Sequence, residues 1–445
     1  SAAESEGTTP LVESPFLRNV EEAAGAAPWD PDTESLWSAR TRAQNAGSEI
    51  AAGRTPPAGW LPEEAGTEDI LSRITAEAAL RSGAYTTAWD GILTGEEDIT
   101  ADLALRFGPE RAWSPTSLEM YVGCPFRFYC AYVLGLAAMP EAERTISAAD
   151  RGSLVHEILR AFYERWRAAG HPGRPDPGDH AEALAAVVAV AREETDRYFW
   201  EGPVWEVIKE QFLGTPDGDG LFGEFLAEEE KGSDSALQPS LFEVSFGIPG
   251  KKPSLSDAPV PLAVPGGEGF LRVRGTIDRV DAGDGGACMV TDYKTGSAPS
   301  QKDIREGRAF QLPLYLRALG TATGMEGVAC GYYTIRTGET ENCIVTHDPA
   351  AAPLLGGIHR SRMPADGDFA GMIDGAVTAA ARAAEGIRAG RFPPSDGRRK
   401  CPDYCDYSSI CRFSRLRTLN SGGTFDEDED ASGCAAGATE GGDGP

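Results

Sequence analysis

The sequence predicts an α/β protein in which a mixed β-sheet is flanked by helices. Three observations support this fold class. Amphipathic helical patterns come first along the patterned part of the chain, three strand-like runs follow, and a helix then separates these from two more strands. Strands and helices in this order are typical of a sheet covered by helices.

The helices are predicted from capping residues and apolar stripes. Ser114 is a capping residue, and Pro115 occupies the first helical position, so a helix is expected to begin here and run to about Leu136. Similar stripes predict further helices at about 151–169, 181–199, 302–319 and 370–389.

The strands are predicted from short alternating or apolar runs rich in β-branched and aromatic residues. A hairpin through Asp284-Gly285-Gly286 is expected to join the second and third strands. The predicted strands lie near 241–247, 270–281, 287–293, 328–336 and 342–347.

The predicted hairpin carries the main chemical signal. Asp278 and Asp292 are fourteen residues apart, and Lys294 follows the second aspartate by two residues. Because side chains alternate along a strand, Asp292 and Lys294 share a face, and the hairpin brings Asp278 beside them. The alternative is a surface hairpin with an ordinary Asp/Lys pair.

Two carboxylates and an ammonium at this spacing predict a metal-dependent nuclease. Carboxylate oxygens suit Mg²⁺ or Mn²⁺, which polarises a phosphodiester and lowers the pKa of a bound water. Lys294 is expected to orient that water or to offset charge on the phosphorus.

Four more residues are candidates for the same site. His156 lies on a helix with an apolar face, where a histidine is more often structural, but a carboxylate site elsewhere favours a metal ligand. Gln311 and Tyr315 share one helical face because they are four residues apart. Glu243, in an alternating strand before the hairpin, is either a further ligand or a solvated residue.

Composition limits the class of protein. The 445 residues suffice for two or three domains, and no run is apolar enough for a membrane span or a signal peptide, so we predict an intracellular, cytoplasmic protein. The net charge of −28 argues against general adhesion to nucleic acid. The segment 391–418 is nevertheless rich in basic residues that could face a phosphate backbone.

Nine unevenly spaced cysteines do not form the pattern of a secreted disulfide framework. Cys401, Cys405 and Cys411 fall within eleven residues, and a distant Cys124 can complete the four thiolates of a [4Fe–4S] cluster or a structural zinc site. Cys130 competes for the fourth position. Unrelated buried cysteines are the alternative, which is the expected role of Cys288, Cys330 and Cys343.

The two ends of the chain differ from its middle. Residues 1–110 are rich in Ala, Glu, Gly and Pro, with a helical stretch at 69–82 and no evident site. Residues 419–445 are dominated by Gly, Ser, Asp and Glu, which predicts a disordered acidic tail. The sequence holds no phosphate-binding GxxxxGK[ST] loop, so no ATP motor is expected within it.

With these motifs in order, the chain resembles the RecB/AddB-type PD-(D/E)XK nucleases, most closely the iron–sulfur-stapled nuclease domains of the AddB type. The resemblance implies a restriction-endonuclease-like fold over residues 111–418 with a C-terminal metal-cluster staple. It also implies that residues 1–110 are the end of a helicase-like region or a mobile lead-in, and that a helicase motor is the partner.

The resemblance assigns roles residue by residue. Its GxxxH, GxxD, DYK and QxxxY motifs match positions that line one active site in the family, and here these are His156, Asp278, Asp292, Lys294, Gln311 and Tyr315. The first, second and third of these would hold the metal. The family's cysteines match Cys124, Cys401, Cys405 and Cys411, but three residues separate Cys401 from Cys405 where the family usually has two.

The leading hypothesis is therefore a Mg²⁺-dependent DNA exonuclease acting on single strands or unwound ends, as the nuclease part of a helicase–nuclease complex for double-strand-break repair and recombination. One alternative is a non-catalytic module that holds DNA for a partner motor. Others are a stand-alone nuclease similar to those of CRISPR adaptation and a zinc-stapled scaffold without a DNA role.

Overall fold

The computed structural model describes residues 88–137, 146–197, 203–214, 220–267, 269–335, 341–359, 368–394 and 405–411. The predicted helix at 69–82, Cys401 and the predicted acidic tail lie outside these ranges. No helix in the described ranges combines the length and apolarity that a membrane crossing requires.

Helices precede and follow the strands, as predicted. The helices before the first strand are α1 (Glu97–Arg106), α2 (Pro115–Gly123), α3 (Pro125–Phe128), α4 (Ala148–Ala168), α5 (His180–Arg197), α6 (Pro203–Leu213) and α7 (Gly220–Lys231). Those after it are α8 (Gln301–Arg305), α9 (Gln311–Thr323), α10 (Ala352–Leu355) and α11 (Phe369–Arg388).

The main sheet is mixed and has six strands in the order β2-β1-β5-β6-β7-β8. Neighbouring strands pair antiparallel except β1 with β2 and β6 with β7, which are parallel. A separate hairpin pairs β3 with β4. The strands are β1 (Gln238–Phe246), β2 (Ser254–Ser256), β3 (Val260–Ala263), β4 (Phe270–Val273), β5 (Gly275–Ala282), β6 (Ala287–Lys294), β7 (Glu326–Thr334) and β8 (Glu341–His347).

Apolar side chains are buried on both faces of this sheet. On one face, β5, β6 and β7 pack against α9 and α11, with α2 in the same hydrophobic cluster. On the other face, Phe242, Tyr293 and Tyr333 pack against α4, α5 and α7. The predicted α/β class, a mixed sheet flanked by helices, is thus confirmed.

The helix predicted from Ser114 to Leu136 is interrupted. It begins as expected, because the Ser114 side chain accepts a hydrogen bond from the backbone N–H of Ser117. It ends at Gly123, where Cys124 adopts an extended conformation before Pro125. A proline disfavours helical backbone at the residue before it and donates no N–H, so the chain restarts as a new helix.

Two other predicted elements are also split. The strand expected at 270–281 breaks at Arg274, whose backbone N–H donates to the carbonyl of Trp113, so that β4 pairs with β3 while β5 pairs with β1. The helix expected at 302–319 breaks at Gly307, which has φ +65°, a left-handed conformation that ends helices.

The folded unit extends further toward the N-terminus than residue 111. Leu93, Leu103 and Phe107 lie in the same hydrophobic cluster as Trp113 and Phe128. The boundary expected between residues 110 and 111 therefore falls inside one core, and α1 belongs to it. Helices α6 and α7 were not predicted from the sequence.

Candidate metal and catalytic site

Asp278 and Asp292 are brought together by the pairing of β5 with β6. The strands are in register at Arg279 and Thr291, and the turn between them is the predicted Asp284–Gly286 segment. Beyond that pair, the Asp278 carboxylate accepts the backbone N–H of Tyr293 at 2.8 Å. The Asp278 side chain thus replaces a backbone carbonyl as the partner of the Tyr293 N–H at the point where β5 and β6 separate.

His156 reaches this point from α4. Its Nδ1 lies 3.1 Å from Glu243 Oε1 and 3.6 Å from Asp278 Oδ2, and its Nε2 lies 3.2 Å from the carbonyl oxygen of Tyr293. Burial lowers the pKa of this imidazole, but the charges of Asp278 and Glu243 outweigh burial and raise the pKa to about 9. The two acidic neighbours thus favour the protonated form of the imidazole.

Glu243 completes this group through an unusual backbone conformation. Its φ is +47°, the left-handed region that a glutamate rarely adopts. Phe242 and Val244 on either side of it lie in hydrophobic clusters on opposite faces of the sheet, although alternate residues of a regular strand share a face. The irregular backbone at Glu243 thus accompanies a change of face within β1.

The result is a set of three side chains with the spacing of metal ligands. One ligand atom from each of His156, Glu243 and Asp278 lies within 4.8 Å of the other two. One imidazole and two carboxylates form a donor set suited to a divalent cation. Because a metal ligand must be deprotonated, a cation bound here would displace the proton on His156.

Asp292 and Lys294 lie beside this set on β6. Asp292 Oδ2 is 2.6 Å from Lys294 Nζ, and Asp292 Oδ1 accepts from Gln311 Nε2 at 2.7 Å. The same Gln311 side chain accepts from Lys294 Nζ at 3.3 Å. Gln311 therefore bridges the acid and the lysine, so the predicted shared face of Asp292 and Lys294 is present.

Tyr315 lies one helical turn beyond Gln311 and is 6% exposed. Its ring packs against Gly275 so closely that a Cβ at position 275 would lie 2.6 Å from it. Burial raises the pKa of the Tyr315 hydroxyl, and the charges of Asp278 and Asp292 raise it further. Tyr315 thus faces both aspartates as a neutral hydroxyl.

Burial and like charge make the two aspartates poor acids. Burial raises the pKa of Asp278, and the charge of Asp292 raises it further. Burial also raises the pKa of Asp292, while the ammonium of Lys294 opposes that rise. A divalent cation between them would relieve both the desolvation and the repulsion.

A buried charge network supports β6 between Asp292 and Lys294. Arg279 is fully buried and pairs through Nε with Asp281 Oδ1 at 2.6 Å and through Nη1 with Glu229 Oε2 at 2.9 Å. Arg279 also donates to the hydroxyl of Tyr293 at 3.3 Å, so the network helps to hold the residue between the acid and the lysine. A second buried arginine, at position 174, pairs with the same two carboxylates.

Glu119 is part of the site's framework and was not found from the sequence. Its Oε1 accepts the backbone N–H groups of Phe310 and Gln311 at 2.7 and 2.8 Å. A carboxylate from α2 thus caps the first turn of α9, where helical N–H groups otherwise lack partners. The partners are more than 190 residues apart along the chain, and no local pattern signals such a contact.

The family of the chain follows from its similarity to known proteins. Residues 112–412 match the family model described as the PD-(D/E)XK nuclease superfamily. The match covers well over half of the chain. The chain belongs to the PD-(D/E)XK nuclease superfamily.

The chain is also similar to proteins that are named as a subunit of an ATP-dependent helicase/deoxyribonuclease, the AddB type. That of Moorella thermoacetica is 27% identical over 92% of this chain and 40% of the relative. That of Desulforudis audaxviator is 30% identical over 53% of this chain and 19% of the relative. That of Acetivibrio thermocellus is 26% identical over 49% of this chain and 18% of the relative. The chain thus spans about two fifths or less of these relatives. The predicted RecB/AddB-type family is confirmed.

The cysteines of the predicted staple converge in part. Cys405 and Cys411 lie in the segment whose Tyr407 hydroxyl donates to the carbonyl of Leu136 at 2.8 Å, close to the end of the turn that carries Cys130. Burial raises the pKa of the Cys130 thiol to about 11, and electrostatic interactions with the nearby Cys124, Cys411 and Cys405 add to this rise. All four of these thiols share one corner of the nuclease domain.

Four cysteines in one region are the residue types that a thiolate-bound cofactor requires. Cys130, the alternative fourth ligand, lies close to the predicted ligands Cys124, Cys405 and Cys411. The fourth predicted ligand, Cys401, lies outside the described residues. Cys288 and Cys330, which were expected to be buried free thiols, are buried in the sheet and form no disulfide.

The backbone of Glu243 gives a first prediction. Replacement by Gly or by Ala removes the same carboxylate, so the difference between the two variants reports the cost of the positive φ. We expect the Gly variant to be more stable than the Ala variant by about 1 kcal/mol, measured as the free energy of unfolding in urea. At Ser240, which does not have a positive φ, Ala should be the more stable replacement. The same order at both positions would contradict strain at Glu243.

The cap on α9 gives a second prediction. Both N–H groups donate to one oxygen of Glu119, so Glu119→Gln keeps an acceptor that Glu119→Ala loses. We expect Glu119→Ala to lower the free energy of unfolding by about 1–2 kcal/mol and Glu119→Gln by clearly less. Asp368→Ala, which removes the exposed cap of α11, is the matched control and should cost less than Glu119→Ala. Equal losses for Gln and Ala at position 119 would show that charge, and not hydrogen bonding, holds the helix.

Proposed function

We propose that this chain is a metal-dependent DNA exonuclease and the nuclease part of a helicase–nuclease complex for double-strand-break repair and recombination. The observation that carries the proposal is the convergence of His156, Glu243 and Asp278 within metal-ligand distance, beside the Asp292–Lys294 pair. Membership of the PD-(D/E)XK nuclease superfamily supports the reaction class.

The cofactor proposed for this site is Mg²⁺ or Mn²⁺, held by His156, Asp278 and Asp292, with Glu243 as a further ligand. Hard oxygen donors predominate, which favours these ions over thiophilic metals. When bound, such an ion polarises a phosphodiester and lowers the pKa of a bound water. Burial raises the pKa of both aspartates, so their ionised forms are unfavourable without a compensating cation. This supports a metal site between them.

Lys294 is proposed to orient the attacking water and to offset charge on the phosphorus. The Gln311 carboxamide holds the ammonium on one side, and the Asp292 carboxylate pairs with it on the other. The Tyr332 ring, whose centroid is 5.5 Å from Nζ, limits its movement further. A pre-oriented cation of this kind acts on charge that develops in the transition state.

Gln311 and Tyr315 are proposed to orient the DNA strand at the scissile phosphate. Both lie on the face of α9 that is directed at the aspartates, and Gln311 is fixed there through the cap that Glu119 provides. The neutral Tyr315 hydroxyl is available to donate to a phosphate oxygen without adding negative charge.

The proposed substrate is a single strand or an unwound end, and the proposed partner is a helicase motor. Support comes from the relatives, whose names describe each of them as one subunit of an ATP-dependent helicase/deoxyribonuclease. The sequence itself holds no phosphate-binding loop of the ATP-motor type. A motor that opens the duplex would deliver such a strand to the site.

The nuclease assignment predicts the effect of removing Lys294. With Mg²⁺ and end-labelled single-stranded DNA, wild-type protein should release short products, and Lys294→Ala should lower the rate at least about 100-fold because the positioned charge is lost. Lys231→Ala, which removes an exposed lysine paired with Glu228, is the control and should cleave normally. Melting curves must show that Lys294→Ala remains folded.

Other outcomes of this assay separate the remaining hypotheses. DNA binding without cleavage by any of the three proteins would favour the non-catalytic module or a nuclease that acts only beside its motor. Cleavage that persists in Lys294→Ala would remove the proposed site from the reaction. The length of the first products distinguishes an exonuclease from an endonuclease.

We also propose that Cys124, Cys401, Cys405 and Cys411 hold a [4Fe–4S] cluster. Support comes from the shared location of Cys124, Cys405 and Cys411 beside Cys130. A cluster there would tie α2 to the C-terminal segment across roughly 280 residues of chain, which restricts the unfolded chain strongly.

The cluster proposal predicts the colour of anaerobically purified protein. Wild-type protein should be brown, and its iron and sulfide should be lost when Cys124, Cys401 or Cys405 is replaced by Ala. Cys130→Ala is the control that should keep the cluster. Colour lost in Cys130→Ala but kept in Cys401→Ala would reassign the fourth ligand, and bound zinc in colourless protein would reject iron–sulfur.

A further inference from the structure

Many basic side chains on the described surface are paired with carboxylates. Arg106 pairs with Asp102, and Arg272 with Glu110. Three cations near the candidate site differ: within the described ranges, no carboxylate lies within ion-pair distance of them. This is unexpected in a chain whose acidic residues outnumber its basic residues by 28. We refer to these three residues as the basic track; they are Arg111, Lys251 and Arg274.

Lys251 marks the end of the track next to the candidate metal site. Its Nζ donates to Thr276 Oγ1 at 2.9 Å, which holds the exposed ammonium at the start of β5. Thr276 precedes Asp278 by two residues, a separation of about 7 Å along a strand. The ammonium therefore lies within about one nucleotide's reach of the carboxylates.

Arg274 is the next cation of the track. It is exposed, directly precedes β5, and is fixed by the hydrogen bond from its backbone N–H to the carbonyl of Trp113 at 2.8 Å. The absence of a side chain at Gly247 lets the Arg274 side chain lie close to the backbone there, because a Cβ at position 247 would lie 2.8 Å from the Arg274 Cβ. The position of Arg274 is thus set by the fold.

Arg111 extends the track beyond the sheet. Its guanidinium carbon lies 5.2 Å from the centroid of the Phe107 ring and 5.8 Å from that of Trp113. Trp113 is the residue that also binds the backbone of Arg274, so the two arginines are neighbours. Burial lowers the pKa of Arg111, and repulsion from Arg274 lowers it further, which reflects like charges held close together.

We propose that Lys251, Arg274 and Arg111 bind the phosphate backbone of a DNA strand that runs from the Asp278 site along β5 and past Trp113. The inference rests on the proposed nuclease function, which makes DNA the substrate. Three cations held in a row that starts at the metal site match a linear polyanion. Cation–π contacts with the Phe107 and Trp113 rings restrict the position of the exposed Arg111 side chain.

The track can be tested through the salt dependence of binding. Each phosphate contact on single-stranded DNA contributes about 0.7 to the slope of log affinity against log salt, so loss of three contacts should reduce the slope by about 2. The variant is Lys251→Gln with Arg274→Gln and Arg111→Gln, which keeps much of the side-chain length. The probe is a fluorescein-labelled thymidine oligonucleotide, followed by anisotropy in EDTA so that no strand is cleaved.

The matched control is Arg165→Gln with Arg317→Gln and Lys231→Gln, which removes the same charge from residues paired with Glu193, Asp374 and Glu228. We expect the track variant to bind at least about 10-fold more weakly than the control at low salt, with the lower slope. Equal affinity and slope in the two variants would overturn the proposal.

A small substrate separates this proposal from the proposed function. Thymidine 5′-p-nitrophenyl phosphate is too short to reach Arg274 and Arg111 from the metal site. Its Mg²⁺-dependent hydrolysis should therefore be equal in wild type and in an Arg274→Gln, Arg111→Gln double variant that keeps Lys251. Hydrolysis by wild type together with unchanged DNA binding by the track variant overturns the track alone. Failure of wild type to cleave either substrate, with weaker DNA binding by the track variant, overturns cleavage by this chain alone and supports the track.

Discussion

Two buried carboxylates of like charge, Asp278 and Asp292, lie side by side where β5 and β6 part, and much of the surrounding structure serves to hold them there. Such a pair is unfavourable because both groups lose solvation and repel each other. The protein offsets this with three neighbouring groups: the imidazole of His156, the ammonium of Lys294 and the carboxamide of Gln311. His156 comes from α4, Gln311 comes from α9, and Lys294 is the last residue of β6.

Contacts on both faces of the sheet keep Asp278 and Asp292 and their partners in position. On one face, Glu119 caps α9 and so places Gln311 against Asp292. On the other, the buried pairs of Arg279 support Tyr293, whose backbone contacts both Asp278 and His156. A buried ion pair contributes little net stability, but its partners are costly to separate, which makes it effective at maintaining one arrangement. The strained Glu243 is held within the same framework.

Some expectations followed from local patterns and others required distant contacts. The hairpin carrying Asp278, Asp292 and Lys294 was predictable because strand alternation and a Gly-rich turn are encoded within about twenty residues. The break at Gly307 was missed because an amphipathic stripe continues across it, and the break at Arg274 because its partner, Trp113, lies in another part of the chain. The helices α6 and α7 belong to a face whose burial was not evident from periodicity.

The sequence by itself determined the α/β class, the hairpin that carries Asp278, Asp292 and Lys294, and the family, because spacing and residue type suffice for these. Tertiary structure decided which side chains meet the predicted acids: it placed Glu243 with His156 and Asp278, and it set Gln311 against Asp292. It also decided that Glu119 caps α9 and that Arg111 lies beside Arg274. The physical reason is that these contacts join residues far apart in sequence, and their energies depend on burial and distance, which local patterns do not encode.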